Sequence, residues 1–158
     1  MVQNGEGTPE NPYLVADAAQ MDLVRLFLTS HFRVVKDIDL SAVSAADPMG
    51  WRPIGIIGEG FEGVFDGAGF SISGLSVNRP AQNEVGLFGV LDGEGEIRKV
   101  TIEGASIAGS QATGALVGRQ MMGLIENCHS SGSITSTNSR IGGLVGSQQA
   151  GIITKSSS

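Results

Sequence analysis

The stretch TGALVGRQMMGLIENC at Thr113–Cys128 is written again, with changes, as IGGLVGSQQAGIITKS at Ile141–Ser156. The glycines and aliphatic residues are kept and the polar residues between them change. Gly89, Gly118 and Gly146 stand in register at nearly equal spacing. Leu87, Leu116 and Leu144 then fall together, as do Gly95, Gly123 and Gly151, and Ile97, Ile125 and Ile153. An internal period of about 28 residues marks an array of stacked supersecondary units. A helical array would show apolar residues at i, i+3, i+4 and i+7, and none persists between Phe61 and Ser158, where glycine recurs throughout. Short strands divided by glycine corners remain, and they predict an all-β parallel β-helix of about four to five coils. Its coils lie about 4.8 Å apart. Each aliphatic side chain then sits over its own copy, while the changing polar residues face water.

A weaker fourth copy is expected in GFSISGLSV (69–77). There Ile72, Leu75 and Val77 are matched with Ile97, Val100 and Ile102, with Ile125, Cys128 and Ser130, and with Ile153, Ser156 and Ser158. A step of two keeps one face of a strand, and a step of three inserts a corner. The corners are placed at Gly74, Lys99, Asn127 and Lys155.

Glycine fills 24 of the 158 positions, about twice average usage, without a collagen period. The net charge is −6, and the ten lysines and arginines are spread from Arg25 to Lys155. That spread argues against nucleic acid, which asks for a clustered basic footprint, and gives no support for an anionic membrane surface. The single cysteine, Cys128, excludes an intrachain disulfide. No apolar run approaches the roughly 18 residues of a membrane span. The start, MVQNGEG, has no signal-peptide core, so a secreted parent would carry its leader outside this sequence.

The repeated core reads GLFG (86–89), ALVG (115–118) and GLVG (143–146), and it resembles the GLUG motif of bacterial surface and secreted proteins. The middle copy departs at Ala115. GVFDGAGFSISGLSV (63–77) looks like the opening coil, and WRPIG (51–55) and GTPENPYLV (7–15) look like the lead-in of such proteins. The resemblance implies a right-handed parallel β-helix in large adhesins, haemagglutinin-like proteins and the non-catalytic part of some surface proteases. It implies no catalytic residues, because the motif is architectural.

Residues 1–50 are expected to form an N-terminal cap and 51–158 the GLUG-type coils. Tyr13–Ala16 reads as a strand, and Phe32–Leu40 as another. Asp17 and Gln20 have capping-box spacing. Met21, Val24, Phe27 and Leu28 make one face of an amphipathic helix over Ala18–Leu28, expected to cover the first coil. The last repeat stops at TKSSS, before its third strand. The expectation is a fragment whose parent continues, or an open end that pairs with a second copy end to end.

Candidate chemistry is sparse. GEGFEG (58–63) matches G-x-G-x-x-G, but strand-like VFDGAGF follows where a dinucleotide site needs a helix. Asp37, Asp39 and Asp66 are read first as turn or solvent-facing carboxylates, then as calcium ligands, and last as a catalytic pair. His31 is placed at the end of the cap helix and His129 outward on a strand, neither with a metal-binding partner. Cys128 takes a buried position shared with Leu75 and Val100. Tyr13, Trp51, Phe61, Phe65, Phe70 and Phe88 are read as core rather than a sugar platform. Thr101, Thr135 and Thr154 are out of register, against an ice-binding array.

The expectation is therefore a non-enzymatic, extracellular or cell-surface bacterial module, an adhesin stalk or scaffold. No catalytic, metal or cofactor residue is assigned. Its partner would be a host or matrix ligand, glycan or protein. The alternative is a polysaccharide-active or carbohydrate-binding domain on the same fold.

Overall fold

The structure is a computed structural model and describes residues 5–158; Met1–Asn4, part of the expected cap, lie outside the described residues. The chain forms β1 (Tyr13–Val15), α1 (Ala18–Leu23), a 3-10 turn (Val24–Leu26), β2 (His31–Val34), β3 (Ile38–Asp39) and α2 (Ser41–Ala45). It continues through β4 (Val64–Asp66), β5 (Ser71–Ser73), β6 (Ser76–Asn78), β7 (Phe88–Leu91), β8 (Glu96–Arg98) and β9 (Thr101–Gly109). β10 (Val117–Gln120), β11 (Leu124–Glu126), β12 (His129–Ser136), β13 (Val145–Gln148) and β14 (Ile152–Thr154) complete it.

These strands build three parallel faces. The first runs β1-β2-β4-β8-β11-β14, the second β3-β5-β9-β12 with β6 also on β9, and the third β7-β10-β13. The chain is thus an all-β parallel β-solenoid of about three turns, of which β7–β9 and β10–β12 carry a strand on every face. Turns at both ends lack a strand on one face, so about three stand where four to five coils are expected.

Equivalent residues stack as the repeat requires. Val117 lies over Phe88 and under Val145, and Ile125 lies between Ile97 and Ile153. The amide of Leu116 donates to the Leu144 carbonyl at 3.0 Å, and that of Phe88 to the Leu116 carbonyl at 2.8 Å. Leu87 and Leu116 are fully buried. Gln120 ties the last turns together: its Nε2 donates to the carbonyls of Gly123 at 3.0 Å and Ile152 at 3.2 Å.

The corners at Lys99, Asn127 and Lys155 have left-handed backbones, with φ of 55°, 53° and 52°. Gly74 does not belong with them. Ile72 pairs with Ile102, and Val77 with Ile107, so Gly74 matches Gly104 inside the second face. The fourth copy therefore stacks on 101–108 rather than 97–102, and Phe65 is the residue beneath Ile97. Both segments step by three and then two, because the second face carries its own bulge there.

Phe32–Leu40 is two strands on two faces, not one, since the chain turns between Val34 and Ile38. α1 is also shorter than Ala18–Leu28. The Leu28 carbonyl accepts the amides of Glu62 and Gly63, both at 2.9 Å, which draws the chain out of the helix and toward β2. The helix start does use Asp17, whose Oδ1 accepts the Gln20 amide at 2.8 Å. Gln20 reaches back one residue further than a capping box, accepting the Ala16 amide at 2.7 Å.

The core begins as a column of rings. Tyr13, Phe32, Phe65 and Phe88 follow one another with centroids 5.7, 6.5 and 5.4 Å apart, and Phe61 packs on Phe88 at 5.1 Å. Trp51 is buried, and its indole N–H donates to the Leu87 carbonyl at 3.0 Å. Phe70 is partly buried against this core.

Candidate functional site

The expected acids sit in turns and ion pairs. Asp66 Oδ1 accepts the Ala68 amide at 2.8 Å, and Asp39 Oδ1 the Ser41 amide at 2.9 Å, each two residues on. Hydrogen bonds from Ser41, its side chain first and its amide second, hold the Asp39 pKa below its ordinary value. Asp37 accepts the Ser71 amide of the next turn at 2.9 Å. On the first face, Asp66 lies between Arg33 at 3.7 Å and Arg98 at 4.0 Å. Asp66 therefore stands on a different face from Asp39. Among the described residues, no three His, Cys, Asp or Glu side chains converge on a possible metal position.

His31 opens β2 instead of ending the helix, because the helix stops well before it. His129 is exposed, with Nδ1 2.8 Å from Ser157 Oγ. GEGFEG is a turn and a rung. Ile56 and Glu59 exchange backbone bonds of 3.1 and 2.9 Å, and Phe61 bridges Leu91. Thr101, Thr135 and Thr154 lie beside His129, Ala108 and Glu126, in three separate columns.

Cys128 is fully buried, with Sγ 3.5 Å from the Ile97 carbonyl. It shares its corner position with Val100; Leu75 lies elsewhere, in the bulge of the second face. Burial pushes the Cys128 pKa from 9.0 up to about 11. That rise leaves about 100-fold less thiolate at a given pH. Alkylation by iodoacetamide at pH 8 is therefore expected to be about 100-fold slower in the folded chain than in urea, read by mass spectrometry. Fast native labelling would place the thiol at the surface. Below the ordinary value of 9.0 the thiol is protonated in both states and adds no pH dependence; above it, the unfolded chain ionises first and stability falls.

The arginines that look scattered in sequence meet in space. Arg25, Arg52 and Arg79 are evenly spaced along the chain, and they line one cleft of about 370 Å³ with Glu59, Gln82 and Ile56. The 3-10 turn after α1 supplies Arg25, the rung before the Ile56–Glu59 turn supplies Arg52, and the end of β6 leads to Arg79. Arg25 is fastened from several sides. It pairs with Asp22 at 2.7 Å and donates to the carbonyls of Arg52 at 2.9 Å and Pro53 at 3.3 Å. Its guanidinium also stands 5.2 Å over the Trp51 ring. Arg79 is buried and donates to the Trp51 carbonyl at 3.2 Å and to Gln82 Oε1 at 3.3 Å. Arg52 is exposed and makes no ion pair among the described residues. Burial lowers the Arg25 pKa, Asp22 opposes this, and the charges of Arg52 and Arg79 add to the lowering.

Sequence reading misses this trio. The even spacing is a signal, but it does not match the repeat. The turns from Phe32 to Phe65 and from Phe65 to Ile97 are both longer than the turn from Ile97 to Ile125, so spacing alone does not align them.

Fold and corners together define a parallel β-solenoid whose turns are cornered by glycine and by left-handed residues. Residues 109–135 match the GLUG motif, and the chain carries that repeat. It is similar, at 43% identity over 128 residues (78% of this chain), to a protein named as a candidate Gly-rich membrane protein of Evansella cellulosilytica. It is also 37% identical over 166 residues (99% of this chain) to halomucin of Haloquadratum walsbyi. The chain spans only 15% and 2% of the lengths of those two proteins. Among solved structures, a candidate immunoglobulin A1 protease from Bacteroides ovatus superposes with a TM-score of 0.64 at 20% identity, covering 94% of this chain and 57% of that one. At that identity the likeness is one of fold, which does not carry activity with it.

Proposed function

We propose that the chain is a non-enzymatic β-helical module of a surface-associated protein, serving as a stalk or scaffold segment with adhesive surfaces. The observation that carries this reading is the uninterrupted parallel stack of the first face, from β1 to β14. Each turn bonds to the turns above and below it, a construction that gives length and stiffness from little sequence variety. The names of the two relatives, a Gly-rich membrane protein and halomucin, support a place at the cell surface. No helix among the described residues is long and apolar enough to cross a membrane.

The test is labelling of intact producing cells with an antibody raised against this chain. Labelling before permeabilisation, abolished by external protease, is the expected result; signal only after permeabilisation overturns the placement. Turnover of any polysaccharide or protein in a substrate panel by the purified chain overturns the non-enzymatic reading.

The N-terminal segment serves in this reading as the cap. Met21 and Val24 are buried in the shared core, and Arg25 occupies the carbonyls of Arg52 and Pro53. An uncovered rung recruits other chains. Removal of residues 1–31 is therefore expected to turn a monomer into an aggregating protein, followed by light scattering. A truncated chain that stays folded and monomeric would remove the cap from the account.

A further inference from the structure

The Arg25–Arg52–Arg79 cleft has a composition that the stack does not need. The chain as a whole is acidic, at −6, yet three of its ten basic side chains meet here against a single lining carboxylate, Glu59. The carboxylates that answer Arg25 and Arg79, namely Asp22 and Asp47, are about half exposed, and Asp47 is 4.0 Å from Arg79. Arg52 has no such answer among the described residues. Like charges gathered in a concave, partly dehydrated site attract a counter-charge and hold it more firmly than an open surface does.

The other lining groups narrow the class of ligand. Leu26 and Ile56 are large apolar side chains left exposed at the cleft, and Pro53 also lines it. They offer a surface for C–H groups rather than for water. Glu59 is an acceptor with no hydrogen to give, and Gln82 presents an amide whose oxygen is taken by Arg79. A carboxylate acceptor suits a ligand rich in hydroxyl donors and repels one dense in negative charge. An Arg fork matches a planar carboxylate. A ligand with one carboxylate, several hydroxyls and a C–H face satisfies all of these groups together. An acidic peptide or a phosphate chain leaves Glu59 opposed by like charge.

We propose that this cleft binds a hexuronate residue of an acidic polysaccharide, with Arg52 as the arginine that engages its carboxylate and Glu59 accepting ring hydroxyls. Arg25 and Arg79 are already committed to backbone carbonyls, so they fix the floor and its charge. This reading goes beyond the scaffold role and does not depend on it: a rigid stalk can exist without the cleft being used.

The test is calorimetric titration of the full chain with a galacturonate tetramer, with cellotetraose, poly-L-glutamate and inorganic sulfate as comparison ligands. Saturable binding of the tetramer is expected, weakened by added salt, with none for cellotetraose. Arg52 is exposed, so Arg52→Gln leaves the fold intact by circular dichroism and is expected to lower the affinity about tenfold or more. Glu59→Ala separates the two chemistries, weakening the galacturonate tetramer while strengthening poly-L-glutamate. No saturable binding of the tetramer, or binding indifferent to Arg52→Gln, overturns the site. Equal binding of sulfate or poly-L-glutamate per charge, or a gain for every ligand in Glu59→Ala, overturns the sugar assignment and leaves a plain anion patch.

Discussion

Phe65→Ala is expected to destabilise the chain by about 3–5 kcal/mol, the usual cost of emptying a fully packed phenyl site. Phe65 has no exposed surface and stands between the rings of Phe32 and Phe88, at 6.5 and 5.4 Å. It is also the residue directly under Ile97, where the larger lead-in turns meet the regular ones. In a stack whose turns touch only their neighbours, a loss at that joint uncouples the two halves. Urea unfolding monitored by circular dichroism reads the effect, and a second transition in the variant would be its signature. Phe27→Ala is the control, since Phe27 is partly exposed and lies on the rim of the same ring column. Should Phe65→Ala behave like Phe27→Ala, the rings are not a continuous column.

Gly118→Ala is expected to cost about 3 kcal/mol, at the upper end for overpacking of a tight interior. A methyl group placed there would meet three backbone atoms: the Val85 nitrogen at 2.5 Å, the Glu84 carbonyl carbon at 2.6 Å and the Ala112 oxygen at 2.8 Å. Backbone cannot swing aside as a side-chain tip can, so neighbouring turns must separate. Gly104→Ala provides the contrast. Gly104 has φ +64° and nothing within 4 Å of the added methyl, leaving only the left-handed backbone penalty of about 1–2 kcal/mol. For a chain of this size, a loss of about 3 kcal/mol corresponds to a melting-temperature drop of about 10 °C. Gly104→Ala melting lower than Gly118→Ala would mean that close approach between turns is not what the repeated glycine provides.

The two glycines also show how far the sequence is legible. Gly118 belongs to the GLUG core and stands in register with Gly89 and Gly146 on spacing alone. Gly104 carries no such mark, and its counterpart Gly74 reads as a corner. A step of three is written identically by a corner and by a bulge. Only the pairing of Ile72 with Ile102 separates them. A further column of left-handed residues, Glu84, Ala112 and Arg140, with φ of 53°, 56° and 67°, carries no shared chemistry that a reader could follow. Its members are aligned by hydrogen bonds in which the Val85 amide donates to the Ala112 carbonyl at 3.0 Å and the Thr113 amide to the Arg140 carbonyl at 3.0 Å.

What the sequence by itself determined is the ladder from Phe88 onward. Aliphatic residues that recur at a constant period can all be buried only if each lies on its own copy, so the period dictates both the parallel stack and its register. What the tertiary structure alone decided is how the longer turns through Phe32 and Phe65 are seated on the shorter ones through Ile97 and Ile125, and what their extra residues bring together. Between Phe32 and Phe65 the chain forms α2 and the Ile56–Glu59 turn, and the direction these take depends on contacts with other turns rather than on any local pattern. That is why Arg25, Arg52 and Arg79 read as scattered charges along the chain and stand together in one cleft of the folded protein.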